Sequence, residues 1–464
     1  IFFVSLLLLF VLTACDDKLN TGEYSVTDRV YGVYSAETEG AGMEIHFTPK
    51  ITEPIEVLSD IENDVSKADL PLATNYSEEQ ENKDKDLSGN QEDMNKGIVV
   101  TDNGEQVVAV FESLIPDTIV TDIRYNKYVF PKDYLLVTSS GANIREKPDS
   151  SAEIVGKAQY FEKVNLIAEV VGSYIDNYKS DRWYKVSFIK NNETRYGYIF
   201  AKLAQPRGFQ FKKMVDAVER LKQEIEDNSI AYISNYKNSV GTAPLNKGRT
   251  IDDFGGMRHQ AAPAYYNESK DSDFRYLSDG ILVTILGEND SFYRIRTINF
   301  EGEYFVPKKY ISFKEAIKSL TKVVVVDRKN QNEGVFEYID GKWNLISYVY
   351  ATTGEKAKHK LPTELGFYMA MQKVNRFLYL DDNTKAIAGY APYAIRFNGG
   401  AYIHGVPVDY KIVEGKRVDP GMQEFLSTIG TVPKSHKCVR NYTSHAKFLY
   451  DWAEIGKTAV IVIE

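Results

Sequence analysis

From Leu135 to Ile199 the chain is built of short runs in which apolar and polar residues alternate between turn-forming residues. The runs are Leu135-Leu136-Val137, Ala142 to Pro148, Val164 to Ile167, Trp183-Tyr184-Lys185-Val186 and Tyr196-Gly197-Tyr198-Ile199. Alternation puts every second side chain on one face of a strand. Strands this short, with turns between them, bury that face by closing, so the region is predicted to be a small β-barrel. A length of 464 residues leaves room for other domains, at roughly 100–200 residues each. Aromatic residues make up 12% of the chain, enough to fill several cores, so a fully disordered chain is excluded.

Charge and cysteine content narrow the partners. The net charge is −9 with 56 basic residues, which disfavours broad nucleic-acid binding, and no nucleic-acid partner is expected. Two cysteines allow at most one disulfide, so a disulfide framework is excluded. Ile1 to Leu12 is almost wholly apolar. At ~1.5 Å per residue it is too short for a bilayer core of roughly 30 Å, so it reads as the apolar part of an export signal. No Met or basic stretch precedes it, and the sequence is expected to begin inside a longer leader. The run ends in Leu12-Thr13-Ala14-Cys15, which resembles the bacterial lipoprotein lipobox. The resemblance implies an acylated Cys15, a membrane lipid anchor and a cell-envelope location facing the periplasm or the wall. Cys438 would then be the one remaining thiol, either a buried small hydrophobe or a reactive group.

Composition divides the rest. After the signal and lipobox (1–15) comes an acidic stretch (16–96). Within it Ser77 to Lys96 carries seven acids and three lysines, too polar to offset ordering entropy, so a flexible tether is expected. A short β segment (97–132) surrounds the turn Asp102-Asn103-Gly104. In the next region (133–206), Asn143-Ile144-Arg145-Glu146-Lys147-Pro148, Trp183-Tyr184-Lys185-Val186 and Gly197-Tyr198-Ile199 resemble, in order, the signatures of a bacterial SH3 domain. A divergent copy is expected at 231–315. There Phe292-Tyr293-Arg294-Ile295 and Glu303-Tyr304-Phe305-Val306 echo the last two signatures at offsets of 109 and 107 residues, and Gln260-Ala261-Ala262-Pro263 replaces the first. The connector (207–230) places Met214, Val218, Leu221 and Ile225 on one helical face, as in a packing helix or spacer.

The final region (320–464) opens with Val323-Val324-Val325-Val326, continues in hairpin-linked strands, and ends with a helix near Ser444 to Glu454 and a strand at Thr458 to Ile463. Its informative stretch is Ser435-His436-Lys437-Cys438-Val439-Arg440-Asn441. On extended backbone, His436, Cys438 and Arg440 project to one side. An imidazole there can take the thiol proton, and an Arg can hold a carboxylate or developing negative charge. The stretch resembles the motif of the L,D-transpeptidase (YkuD-type) catalytic domain. Pro362 to Tyr368, Asn398 to Gly405, Leu449 to Trp452 and Gly456 to Val460 look like its other landmarks. The overall expectation is mainly β: two SH3-like β-barrels followed by an L,D-transpeptidase-type β-sandwich with a short helix.

The resemblance implies acyl transfer on peptidoglycan stem peptides without a cofactor. Cys438 is the nucleophile and His436 its base, with the carbonyl of Lys437 orienting that imidazole. His404, Arg440, Ser435, Gly400 and Tyr402 line or support the substrate site. An amine acceptor gives a 3→3 cross-link; water gives an L,D-carboxypeptidase. Three departures stand out: Lys437 where the family has Gly, Glu364 where it has Pro, and a long connection after His404, with residues 406–434 a candidate lid or extra loop. If position 437 needs φ > 0, a Lys there is strained. His404, His436, Cys438 and His445 are the residue types that bind Zn²⁺, but without a second Cys the pattern is poor, and no metal is expected. His445 is expected at the surface or the pocket rim. Papain-like peptidases place Cys before His, the reverse of this order. The non-enzymatic alternative is a tethered wall-binding lipoprotein.

Overall fold

The computed structural model describes residues 99–464 except 102, 103, 359, 382, 383 and 385. The expected signal, lipobox Cys15 and acidic tether lie outside the described residues. The described chain is mainly β. None of its helices is long and apolar enough to cross a membrane.

The first SH3-like region folds as an antiparallel sheet whose centre is Lys163–Ile175, Ser180–Lys190 and Glu193–Phe200. Alternation is visible in Lys163–Ile175, where Val164, Leu166, Ala168 and Val170 are buried. The preceding β segment is shared between two bodies. Gln106–Val110 extends the SH3-like sheet, and Val120–Thr121 pairs in parallel with Asn344 and Leu345 of the C-terminal region.

The connector forms the helix Phe211–Asp227, and Met214, Val218, Leu221 and Ile225 are all buried. It is a packing helix: these residues share one core with Val323, Val325, Phe336 and Ile461. The region expected to be a divergent copy folds as a second antiparallel sheet. Phe292–Thr297 and Phe300–Pro307 carry the repeated signatures, and Ala261–Tyr265 carries the replaced one.

The C-terminal region is a two-sheet sandwich. One sheet runs Gly366–Met369, Thr458–Ile463, Lys322–Asp327, Asn332–Ile339 and Lys342–Tyr350, with Val120–Thr121 at its edge. Its outer face lies under the connector helix, and its inner face meets the second sheet through Val324, Val326, Ile395, Ile403 and Val439. Burial on both faces is why Val323 to Val326 reads as an unbroken apolar run. The second sheet holds Gln372–Leu380, Ile387–Asn398, Ala401–His404 and Val439–Arg440.

The long connection after His404 contains an exposed hairpin, Lys411–Val413 with Lys416–Val418. Asp419 fastens it to Arg376 at 2.9 Å. Before the Ser435 motif, the Arg207 guanidinium at the start of the connector donates to the carbonyls of Gly430 and Thr431.

Candidate active site

Two short parallel strands build the site. Ala401–His404 pairs with Val439–Arg440, with Ile403 opposite Val439 and His404 opposite Arg440. Ile403 and Val439 enter the sandwich core. Alternation therefore turns Tyr402, His404, Cys438 and Arg440 to the other face. There Tyr402 and Cys438 cluster with Ala394, Val374 and Phe377, and the Phe377 and Tyr402 rings stack at 4.2 Å.

Cys438 lies at the bottom of this face, 8% exposed. Its Sγ is 4.0 Å from the carbonyl oxygen of Gly400, which is itself exposed. Burial pushes the thiol pKa up, while a hydrogen bond from the Tyr402 backbone N–H and the positive charges of Arg440 and Lys437 pull it down. The net direction is up, so the resting group is a thiol and needs a base to become the nucleophile.

His404 is buried, with Nδ1 2.6 Å from the carbonyl oxygen of Gly405. A carbonyl only accepts, so Nδ1 carries the proton and Nε2 is the unprotonated nitrogen. Burial lowers the imidazole pKa to about 4, and the nearby Arg440 charge adds to that, so His404 is neutral at pH 7. The Asn441 N–H donates to the His404 carbonyl at 2.8 Å, which fixes the register of the two strands.

The turn before the nucleophile differs from the extended expectation. Lys437 has φ 64, left-handed backbone, and His436 and Lys437 form a bend ahead of the strand. The alternation that aligned His436 with Cys438 therefore stops at residue 437. Cys438 and Arg440 keep it, and His436 lies exposed on the bend. The Lys437 carbonyl accepts from the Thr363 hydroxyl at 2.9 Å, and the Lys437 N–H donates to the Leu361 carbonyl at 2.8 Å. The buried Ser435 donates its hydroxyl to the Cys438 carbonyl. These bonds hold the strained turn.

His445 is a correction to the rim expectation. It is fully buried in the helix Thr443–Trp452, with Nε2 2.9 Å from Ser347 Oγ and Nδ1 3.3 Å from Glu333 Oε1. Its apolar spacing in the sequence hid an inward polar position. His445 therefore does not join Cys438, and among the described residues no three His, Cys, Asp or Glu side chains group to hold a metal. Asn441 Nδ2 reaches the same Glu333 oxygen at 3.1 Å. Sequence reasoning gave no role to Thr363, although it stands in the quoted Pro362 to Tyr368 stretch. Nor did it see the Gly405 carbonyl, which has no side-chain signal.

Residues 321–462 match the family model for the L,D-transpeptidase catalytic domain, YkuD. The chain carries a YkuD-type L,D-transpeptidase domain. Residues 140–205 match the bacterial SH3 domain. No curated protein matches the chain. Among solved structures, an L,D-transpeptidase from Mycobacterium smegmatis is 18% identical over 39% of this chain and 82% of its own, with a TM-score of 0.25. L,D-transpeptidase 3 from Mycobacterium tuberculosis is also 18% identical, over 39% of this chain and 79% of its own, with a TM-score of 0.25. A fused Zn-dependent amidase/peptidase/peptidoglycan-binding protein from Clostridium acetobutylicum is 20% identical. That match covers 32% of this chain and about half, 53%, of the other, with a TM-score of 0.21. Two departures of the L,D-transpeptidase domain have local explanations. Lys437 occupies a left-handed turn, where Gly is the unstrained residue. The carboxylate of Glu364 accepts from Ser278 Oγ at 2.7 Å and from Asn398 Nδ2 at 3.1 Å, joining the second SH3-like region to the sandwich.

Proposed function

We propose that the protein is a peptidoglycan L,D-transpeptidase that forms 3→3 cross-links through a Cys438 thioester. The observation that supports this most is that alternation puts Cys438 and His404 on the same face of two adjacent strands, with the imidazole held in the tautomer whose Nε2 accepts a proton. In this reading Nε2 takes the thiol proton, and the thiolate attacks the carbonyl carbon of the bond between the diamino residue and terminal D-Ala. The tetrahedral oxyanion collapses, the imidazolium returns its proton to the leaving amine, and D-Ala departs. The side-chain amine of a second stem then attacks the thioester, losing a proton to Nε2, and an amide forms as the thiol is released.

The motif spacing names His436 as the base. The left-handed Lys437 between it and the strand favours His404 instead, with His436 at the entrance. The Arg440 charge, close enough to lower the pKa of both Cys438 and His404, suits a developing anion. Gly400 and Tyr402 line the approach. Together with the SH3 domain, the reading implies a wall-associated protein, and the lipobox resemblance adds a lipid tether at Cys15.

The test is incubation with a carbapenem, followed by mass spectrometry and by analysis of products from purified tetrapeptide stems. One β-lactam mass on Cys438, absent in Cys438→Ala, together with 3→3 dimers supports the proposal. Tripeptide without dimers makes the protein a carboxypeptidase. No adduct and no turnover leaves the wall-binding lipoprotein.

A further inference from the structure

The second SH3-like region packs against the Gly399-Gly400 turn and Tyr402, beside Cys438. Two of its loops meet there, and three of their residues hold left-handed backbone without being glycine: Lys237 (φ 54), Asn238 (φ 55) and Gln260 (φ 56). Such backbone is costly and persists where the surroundings enforce it, which points from strain to function. The Lys237 N–H donates to Gln260 Oε1 at 3.0 Å, and the Gln260 N–H donates to Asn238 Oδ1 at 2.9 Å. The Gln260 side chain lies against the Gly399-Gly400 turn, 3.4 Å from where a Cβ at Gly399 would stand and 4.0 Å from one at Gly400. Gly400 is the residue whose carbonyl faces the Cys438 sulfur. Beside it, the Tyr236 hydroxyl is 3.3 Å from the Tyr402 hydroxyl. One hydrogen bond from its backbone thus links Lys237 to the side chain that lies against the Gly399-Gly400 turn.

Resting on the acyl-transfer reading above, we propose that this region supplies one wall of the substrate cleft. Lys237, positioned by Gln260, binds a carboxylate of the incoming stem peptide. Lys237 is exposed, with its ammonium 5.7 Å from the Tyr236 ring centre. A stem ending in D-Ala brings a carboxylate to this mouth. A charge-assisted contact there orients the scissile carbonyl over Cys438. The second SH3-like region is then part of the enzyme's specificity.

The test compares a synthetic stem tetrapeptide ending in free D-Ala with its C-terminal amide, using the full chain. Lys237→Asn removes the charge with a residue that tolerates left-handed backbone. It is expected to raise KM for the free acid about tenfold at unchanged kcat, and Lys237→Arg to restore it. The amide should show the same KM in the wild-type chain and in Lys237→Asn. Alkylation of Cys438 by iodoacetamide, which needs no stem pocket, should keep its rate and report an intact site. A wild-type KM in Lys237→Asn, or an equal defect with the amide, overturns this inference while leaving the functional reading standing. A wild-type chain that consumes neither peptide defeats the functional reading, and this one with it.

Discussion

Asp279 of the second SH3-like region and Arg396 of the L,D-transpeptidase domain form a buried ion pair, with Nη1 2.6 Å from Oδ2. Asp279 also accepts from the Asn235 N–H at 2.7 Å, and the Arg396 guanidinium lies 4.1 Å from the Tyr236 ring centre. The pair locks the loops that flank Gly400. Removing one partner of a buried pair strands the other charge, at a cost of about 3–5 kcal/mol. Arg396→Met is therefore expected to lose about that much stability in urea unfolding. A loss below ~1 kcal/mol would show that the two regions are not coupled through this contact.

The two motif histidines separate by mutation. His404→Gln should lower tetrapeptide turnover by about 10²–10⁴-fold, the usual contribution of a general base. His436→Gln should cost less, because a bend lies between it and the nucleophile's strand. The reverse order in steady-state kinetics would return the base to His436.

Lys437 is strained at φ 64. A left-handed residue with a Cβ costs roughly 1–2 kcal/mol, part of which glycine gives back as unfolded-state entropy. Lys437→Gly should then stabilise the chain by about 1 kcal/mol in chemical denaturation. A destabilised variant would mean that the lysine side chain contributes more than its backbone costs.

Three buried groups set opposing pH slopes. Burial lowers His404 to about 4 and His445 to about 3, and raises Glu333 to about 8. Below the ordinary histidine value of 6.5 the unfolded chain takes up protons that the folded imidazoles refuse, so stability falls as pH drops. Glu333 stays protonated in the fold, and its contribution is lost as pH rises from its ordinary 4.5 through about 8. Two groups outweigh one below 6.5, and Glu333 acts alone above it. For these three, stability peaks near pH 6.5. Glu333→Gln should flatten the alkaline side of a stability–pH curve and steepen the fall below pH 6.5, where Glu333 opposes the two histidines; an unchanged alkaline slope would contradict the assignment.

Much of the fold was legible because it rests on local periodicity. Met214, Val218, Leu221 and Ile225 read as one helical face and are buried together. The run Val323 to Val326 read as a strand, and burial on both faces explains why it lacks alternation. His445 escaped this kind of reading, since helical spacing marks a face but does not distinguish an apolar neighbour from a buried Ser347 and Glu333.

Local patterning was enough for the β character, the helix face and the chemistry available at Ser435 to Asn441, because side-chain type and spacing are carried by neighbouring residues. Which histidine shares a face with the sulfur depends on long-range packing. A single backbone angle at Lys437 turns one ring off the strand, and a strand pairing made across 36 residues of sequence brings His404 level with the site. Tertiary packing alone also brings the sheet around Asp279 against the Gly400 turn, since the Asp279–Arg396 and Tyr236–Tyr402 contacts join residues more than a hundred positions apart. Neither contact leaves a mark in local periodicity.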